Sequence, residues 1–124
     1  MVSAHVLILL GHGSKAPEAL EEMREMASKL QSMATGTRVQ PAFLTLAQPD
    51  LAAAVREAAQ SGADEIRVLP LFFFSGRHVQ EDVPRQVAEA QAAHPGVRVT
   101  LLEAAGRHAD FLPFLASAAG LDPA

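Results

Sequence analysis

Five consecutive aliphatic residues, Val6-Leu7-Ile8-Leu9-Leu10, run directly into Gly11-His12-Gly13-Ser14. A short, unbroken apolar run that ends in glycine reads as a strand buried on both faces. Burial on both faces is the pattern of a parallel sheet. Parallel neighbours are joined by crossovers, usually helices, so the rest of the chain is expected to alternate between the two kinds of element.

It does alternate. A helix is predicted over about residues 17–33. Pro17 suits its first turn, and Glu18, Glu21 and Glu22 lie where the helix dipole favours negative charge. Leu20, Met23, Ala27, Leu30 and Ala34 recur at helical spacing, and Gly36 fits the stop. A second strand lies within residues 39–46, with Pro41 indicating a sheet edge. Asp50 is the expected N-cap of a second helix, which runs to Ser61 and ends at Gly62. The third strand covers residues 66–71. Glu81, Asp82 and Pro84 mark the start of a third helix, which ends near Ala93 before Pro95-Gly96. A fourth strand over residues 97–102, a short helix over 111–119 and a tail over 121–124 complete the order.

Strands alternating with helices predict an α/β three-layer sandwich with a four-stranded parallel sheet, formed by residues 1–124 as a single domain. Right-handed crossovers leave few topologies, and the flavodoxin-like strand order two, one, three, four is the expected one. Its switch point lies between strands one and three. Ligands of open α/β sheets bind outside the carboxyl ends of the strands at that point. His12 leaves strand one and His78 leaves strand three, each in a glycine-containing turn, so the topology brings both to one crevice.

Composition narrows the chemistry. With 49% apolar residues, the chain reads as neither disordered nor membrane-embedded. It has no cysteine, which excludes disulfides, thiolate metal sites and cysteine nucleophiles, and suits a cytoplasmic protein. The first residues lack the basic segment and cleavage site of a signal peptide and read as a strand. No apolar run approaches the length of a bilayer span. A net charge of −4 argues against a broad nucleic-acid footprint. An anionic small molecule remains compatible with local arginines.

Two neutral imidazoles suit a borderline divalent ion such as Co²⁺, Ni²⁺, Zn²⁺ or Fe²⁺, and an imidazole also accepts a proton. Two ligands are too few for a closed structural site but suit an ion that must leave. Half of the six phenylalanines fall in Phe72-Phe73-Phe74, an aromatic wall suited to a large flat ligand, with at least one ring expected in the core. Arg77, Arg85 and Lys15 are candidates to pair with carboxylates around such a ligand. The other histidines have plainer readings. His5 starts strand one, His94 sits at a helix end, and His108 lies past strand four near the same rim. Met23, Met26 and Met33 read as helix packing, and Glu81 and Asp82 as helix-start charges.

These motifs, taken in order, closely resemble the CbiX-type sirohydrochlorin chelatases. The matching stretches are GHGS after the first strand, AFLTLAQPDL from Ala42, LPLFF from Leu69 continuing into Gly76-Arg77-His78, and EDVP from Glu81. The resemblance covers nearly the whole chain. It implies half of the chelatase fold, as in the short form that works as a homodimer. The implied activity is insertion of Co²⁺ into sirohydrochlorin for cobalamin; relatives insert Fe²⁺ for sirohaem or Ni²⁺ for coenzyme F430. The metal is then a substrate and no permanently bound cofactor is needed. Carried over, His12 is metal ligand and proton acceptor and His78 the second ligand. Thr45, Phe73, Phe74, Ser75, Gly76 and Arg77 line the tetrapyrrole pocket. One departure stands out: Thr45 and Gln48 are uncharged where the family commonly has glutamates. Glu81, Asp82 and Glu103 are the alternative carboxylates.

Three rivals are weighed against this reading. A histidine phosphatase would place an arginine where Gly11 stands before His12. A flavodoxin-like FMN carrier would have a run of serines and threonines in the first loop. A metal or tetrapyrrole carrier would use the same pocket without turnover.

Overall fold

The computed structural model describes residues 4–74 and 76–122; the side chain of His78 lies outside that description. The chain runs β1 (His5–Gly11), α1 (Pro17–Ser32), β2 (Thr37–Phe43), α2 (Leu51–Gln60), β3 (Glu65–Pro70), α3 (Arg77–Ala93), β4 (Arg98–Leu101), a 3₁₀ turn (Ala105–Arg107) and α4 (Phe111–Ala118). The strands form one sheet in the order β2-β1-β3-β4, and all pairs are parallel. This is the expected flavodoxin-like order, and β2, with Pro41, is an edge strand.

The sheet separates two layers. Val6, Ile8 and Leu10 of β1 join Ile66 and Val68 of β3 in the larger core, beneath Leu51, Val55 and Ala58 of α2 and Val83, Val87 and Ala90 of α3. Leu9 points to the other face and packs with Met23 and Ala27 of α1 and with Val39 and Phe43 of β2. The alternation follows from the two-residue period of a strand. Each fully buried Ile or Leu contributes about 1.5–3 kcal/mol. On the α1 face, Leu69 and Leu71 are only half-buried. Of the three methionines read as mostly helix packing, Met23 packs against the sheet, while Met26, off the buried stripe of α1, and Met33, at its C-cap, are exposed.

Two glutamines secure the open edges of the sheet. In α1, the Gln31 side chain donates to the Thr37 carbonyl at 2.9 Å and accepts from the Val39 N–H at 2.7 Å. In α3, Gln91 donates to the Val97 carbonyl at 2.6 Å and accepts from the Val99 N–H at 2.9 Å. Each helix thus supplies the ladder partner that an edge strand otherwise lacks.

Two element boundaries differ from the sequence reading. β2 begins at Thr37, two residues before the stretch read as the strand, and ends at Phe43; residues 44–50 form an irregular loop that contains a cis Gln48–Pro49 bond and Leu46 at φ +64°. The larger difference is in α3, which begins at Arg77, so that Pro84 lies inside it. Pro84 removes one amide donor from the helix interior. Against that loss, Val79, Val83, Val87 and Ala90 form a stripe at helical spacing on the sheet. His78 therefore belongs to the first turn of a helix and not to a loop. No helix among the described residues is long and apolar enough to cross a membrane.

Candidate functional site

The loops at the carboxyl ends of β1, β2 and β3 are joined by backbone hydrogen bonds. Gly11 O accepts from Leu44 N–H at 2.9 Å, and His12 O accepts from Thr45 N–H at 3.1 Å. Leu10 O accepts from Leu71 N–H at 2.9 Å, which extends the β1–β3 pairing one step past Pro70. The chain can close this tightly because of Gly13. It adopts φ +110°, and a Cβ there would lie 2.8 Å from the Thr45 carbonyl carbon and closer still to its oxygen. That conformation and that space are open only to glycine.

His12 is exposed at this rim, with its ring edge-on to Phe72 at a centroid distance of 6.2 Å and an interplanar angle of 86°. Phe72 is the core phenylalanine of the triplet. Phe73 and Phe74 are exposed by 61% and 91%. Phe73 stacks on Phe111 of α4, with centroids 5.1 Å apart and planes 12° apart. Thr45 is exposed and touches the His12 loop through its backbone. Gly76 is the N-cap residue of α3, and His78 is the second residue of that helix. Ser75 lies outside the described residues. Leu46 also sits on this rim, in a left-handed conformation that costs a non-glycine residue about 1–3 kcal/mol.

The charged candidates divide. Arg77 is exposed and pairs with Glu81 at 3.3 Å. Arg85, expected near a ligand, instead binds Asp82 at 2.9 Å and Glu89 at 3.4 Å, and lines a groove between α2 and α3. Hydrogen bonding and charge attraction from Asp82, and then from Glu89, raise its pKa above the ordinary value. The physical reason is helical spacing, which puts both carboxylates within reach of one guanidinium. Glu81 and Asp82 are thus held in ion pairs along α3. Glu103 lines a separate hollow of about 320 Å³ with Phe72, Gln80 and Arg107. His108 is exposed, and its Nδ1 accepts from the Asp110 N–H at 3.1 Å. Among the described residues, no group of three or more His, Cys, Asp or Glu side chains converges as a metal-ligand set.

Sequence reasoning missed the contribution of α4. Its residues Phe111 and Phe114 extend the aromatic surface from Phe73, with the two rings tilted at 6.2 Å. The signal was present in FLPFLASA, a short segment apolar on every side.

The CbiX family model matches residues 6–119. The chain belongs to the CbiX family. Among the relatives, the sirohydrochlorin cobaltochelatase of Methanopyrus kandleri is 33% identical over 81 residues, covering 65% of this chain and 57% of that protein. The chloroplastic sirohydrochlorin ferrochelatase of Arabidopsis thaliana is 29% identical over 102 residues, covering 82% and 45% respectively. The chain therefore spans about half the length of these relatives. The crystal structure of a CbiX protein from Marinobacter aquaeolei VT8 superposes with a TM-score of 0.82 at 29% identity, covering 94% of each chain. The CbiX fold is thus the α/β sheet described above.

Proposed function

We propose that this CbiX-family chain is a sirohydrochlorin chelatase, a single domain over residues 1–124 that inserts a divalent metal into the ring. Co²⁺ on the cobalamin route is the first choice of metal, with Fe²⁺ or Ni²⁺ as alternatives. The observation that carries this is the meeting of two loops at the switch point. The exposed His12 lies against Phe72, at the start of the segment that leads into Phe73, Phe74 and Arg77. Cobalto- and ferrochelatases both occur among the relatives, which supports the activity and leaves the metal to experiment.

In this reading the free macrocycle loses two pyrrole protons as M²⁺ enters. His12 and His78 hold the ion over one face of the ring; as the ion transfers, the His12 nitrogen it vacates accepts one of the two protons, and the other leaves to solvent. Phe73 and Phe74 supply an apolar surface for the ring. Thr45, Ser75 and Gly76 border it, and Arg77 meets a peripheral carboxylate. Among the described residues, Arg77 pairs with the exposed Glu81, a contact worth little in water and readily exchanged for a substrate carboxylate. Positioning and proton acceptance are the enzyme's contributions.

The protein acts in the cytoplasm as a homodimer. Two features support the dimer: α4 leaves the apolar side chains of Phe114 and Leu115 exposed, and the half-buried Leu69 and Leu71 lie on the sheet face that α1 covers.

The test is an anaerobic absorbance time course of sirohydrochlorin with each metal. Wild-type protein accelerates insertion, and His12→Ala lowers the rate about 10²-fold or more. Full rates in both His12→Ala and His78→Ala at limiting metal overturn the mechanism. Ring binding without acceleration identifies a carrier instead.

A further inference from the structure

The segment after β3 carries the exposed aromatic residues Phe73 and Phe74, and among the described residues a small set of contacts meets it. Phe72 anchors its start by burial. The Phe72 carbonyl accepts from the Gly106 N–H at 3.0 Å, which brings the β4–α4 connection against the loop backbone. The approach is close: a Cβ on Gly106 would lie 2.5 Å from the Phe73 Cα. From α4, Phe111 stacks on Phe73. The near-parallel stack occupies one face of the Phe73 ring, and the residue as a whole is still 61% exposed.

We propose that Phe111 is a positioning residue for macrocycle binding. By stacking on Phe73 it fixes the angle at which that ring offers its open face to a flat aromatic ligand. Aromatic rings gain from offset stacking, and a rotationally free Phe73 would lose part of that gain on each binding event. Gly106 provides the close backbone seat that brings α4 within reach. The inference rests on the chelatase reading for the identity of the ligand, and on the geometry of the protein alone for the ordering of the loop.

The experiment compares Phe111→Ala, Phe111→Tyr and Leu112→Ala with wild type. Leu112 is an exposed apolar residue on the same helix, so its variant reports any general role of α4. Phe111 is not part of the buried core, and all three variants are expected to fold. Two readouts are taken: kcat and KM for sirohydrochlorin at saturating Co²⁺, and amide hydrogen exchange of residues 72–77 in the free protein. Phe111→Ala is expected to raise KM about three- to ten-fold with kcat within two-fold, and to speed exchange in the loop. Phe111→Tyr restores both, and Leu112→Ala changes neither. Wild-type KM and wild-type exchange in Phe111→Ala overturn the proposal, as does a Leu112→Ala variant that reproduces its effects. If wild type does not accelerate insertion, the chelatase reading fails separately. Exchange in the free protein then still decides whether Phe111 orders the loop.

Discussion

Replacing Gly13 by alanine should damage both the fold and the site, by an amount the structure sets. At φ +110° an L-residue is strained, at a cost of about 1–3 kcal/mol. The added Cβ also collides with the Thr45 carbonyl, which is backbone and cannot rotate aside. Relief requires the loops after β1 and β2 to separate, which breaks the 3.1 Å bond from Thr45 N–H to His12 O. That bond is worth about 1 kcal/mol. The stiffer unfolded chain of the alanine variant offsets about 0.4–1 kcal/mol. The net loss is on the order of 2–3 kcal/mol, or about 5–15 °C in Tm for a domain of this size. Gly36 supplies the control. It has φ +78° but nothing within 4 Å of its would-be Cβ, so Gly36→Ala incurs the backbone strain without the collision. Thermal and urea unfolding of both variants measure the difference, and the chelation assay measures the displacement of His12. A Gly13→Ala protein no less stable than Gly36→Ala would refute the steric argument.

The edge glutamines give a second test. Gln91→Leu leaves the Val97 carbonyl and Val99 N–H without their side-chain partner and should cost about 1–3 kcal/mol in urea unfolding. Gln31→Leu should cost a similar amount at the opposite edge, and the two losses should add, since the residues share no partner. At the start of α2, Asp50 Oδ1 accepts from Ala53 N–H at 2.9 Å. Asp50→Ala should cost about 0.5–2 kcal/mol by the same measurement, and Asp50→Asn much less.

The parts of the fold legible in the sequence are those written in short-range pattern. The unbroken run from Val6 to Leu10, the stripe of Met23 and Ala27 on α1, and the Asp50 cap each depend on neighbours within a few residues. They reappear in the structure almost where expected. The α3 boundary was misread for the converse reason. Pro84 is a strong local stop signal, and the burial of Val83 and Val87 against the sheet outweighs it. Arg85 shows the same limit: its nearest carboxylates, Asp82 and Glu89, are set by helix geometry once α3 is known to run through it.

The sequence by itself determined the alternation of elements, the parallel sheet and its order, and the two glycine-bearing stretches that meet at the switch point. Apolar periodicity and crossover handedness suffice for these, because they constrain each segment before any tertiary contact forms. Only the tertiary structure decided which phenylalanine enters the core, which faces Phe111, and why Gly13 must be glycine. Each of those depends on atoms brought together from distant positions: Phe73 against Phe111, Gly13 against Thr45, Gly106 against Phe72. Contacts of a few ångströms between remote segments are set by how the layers pack, and no local pattern in the chain encodes them.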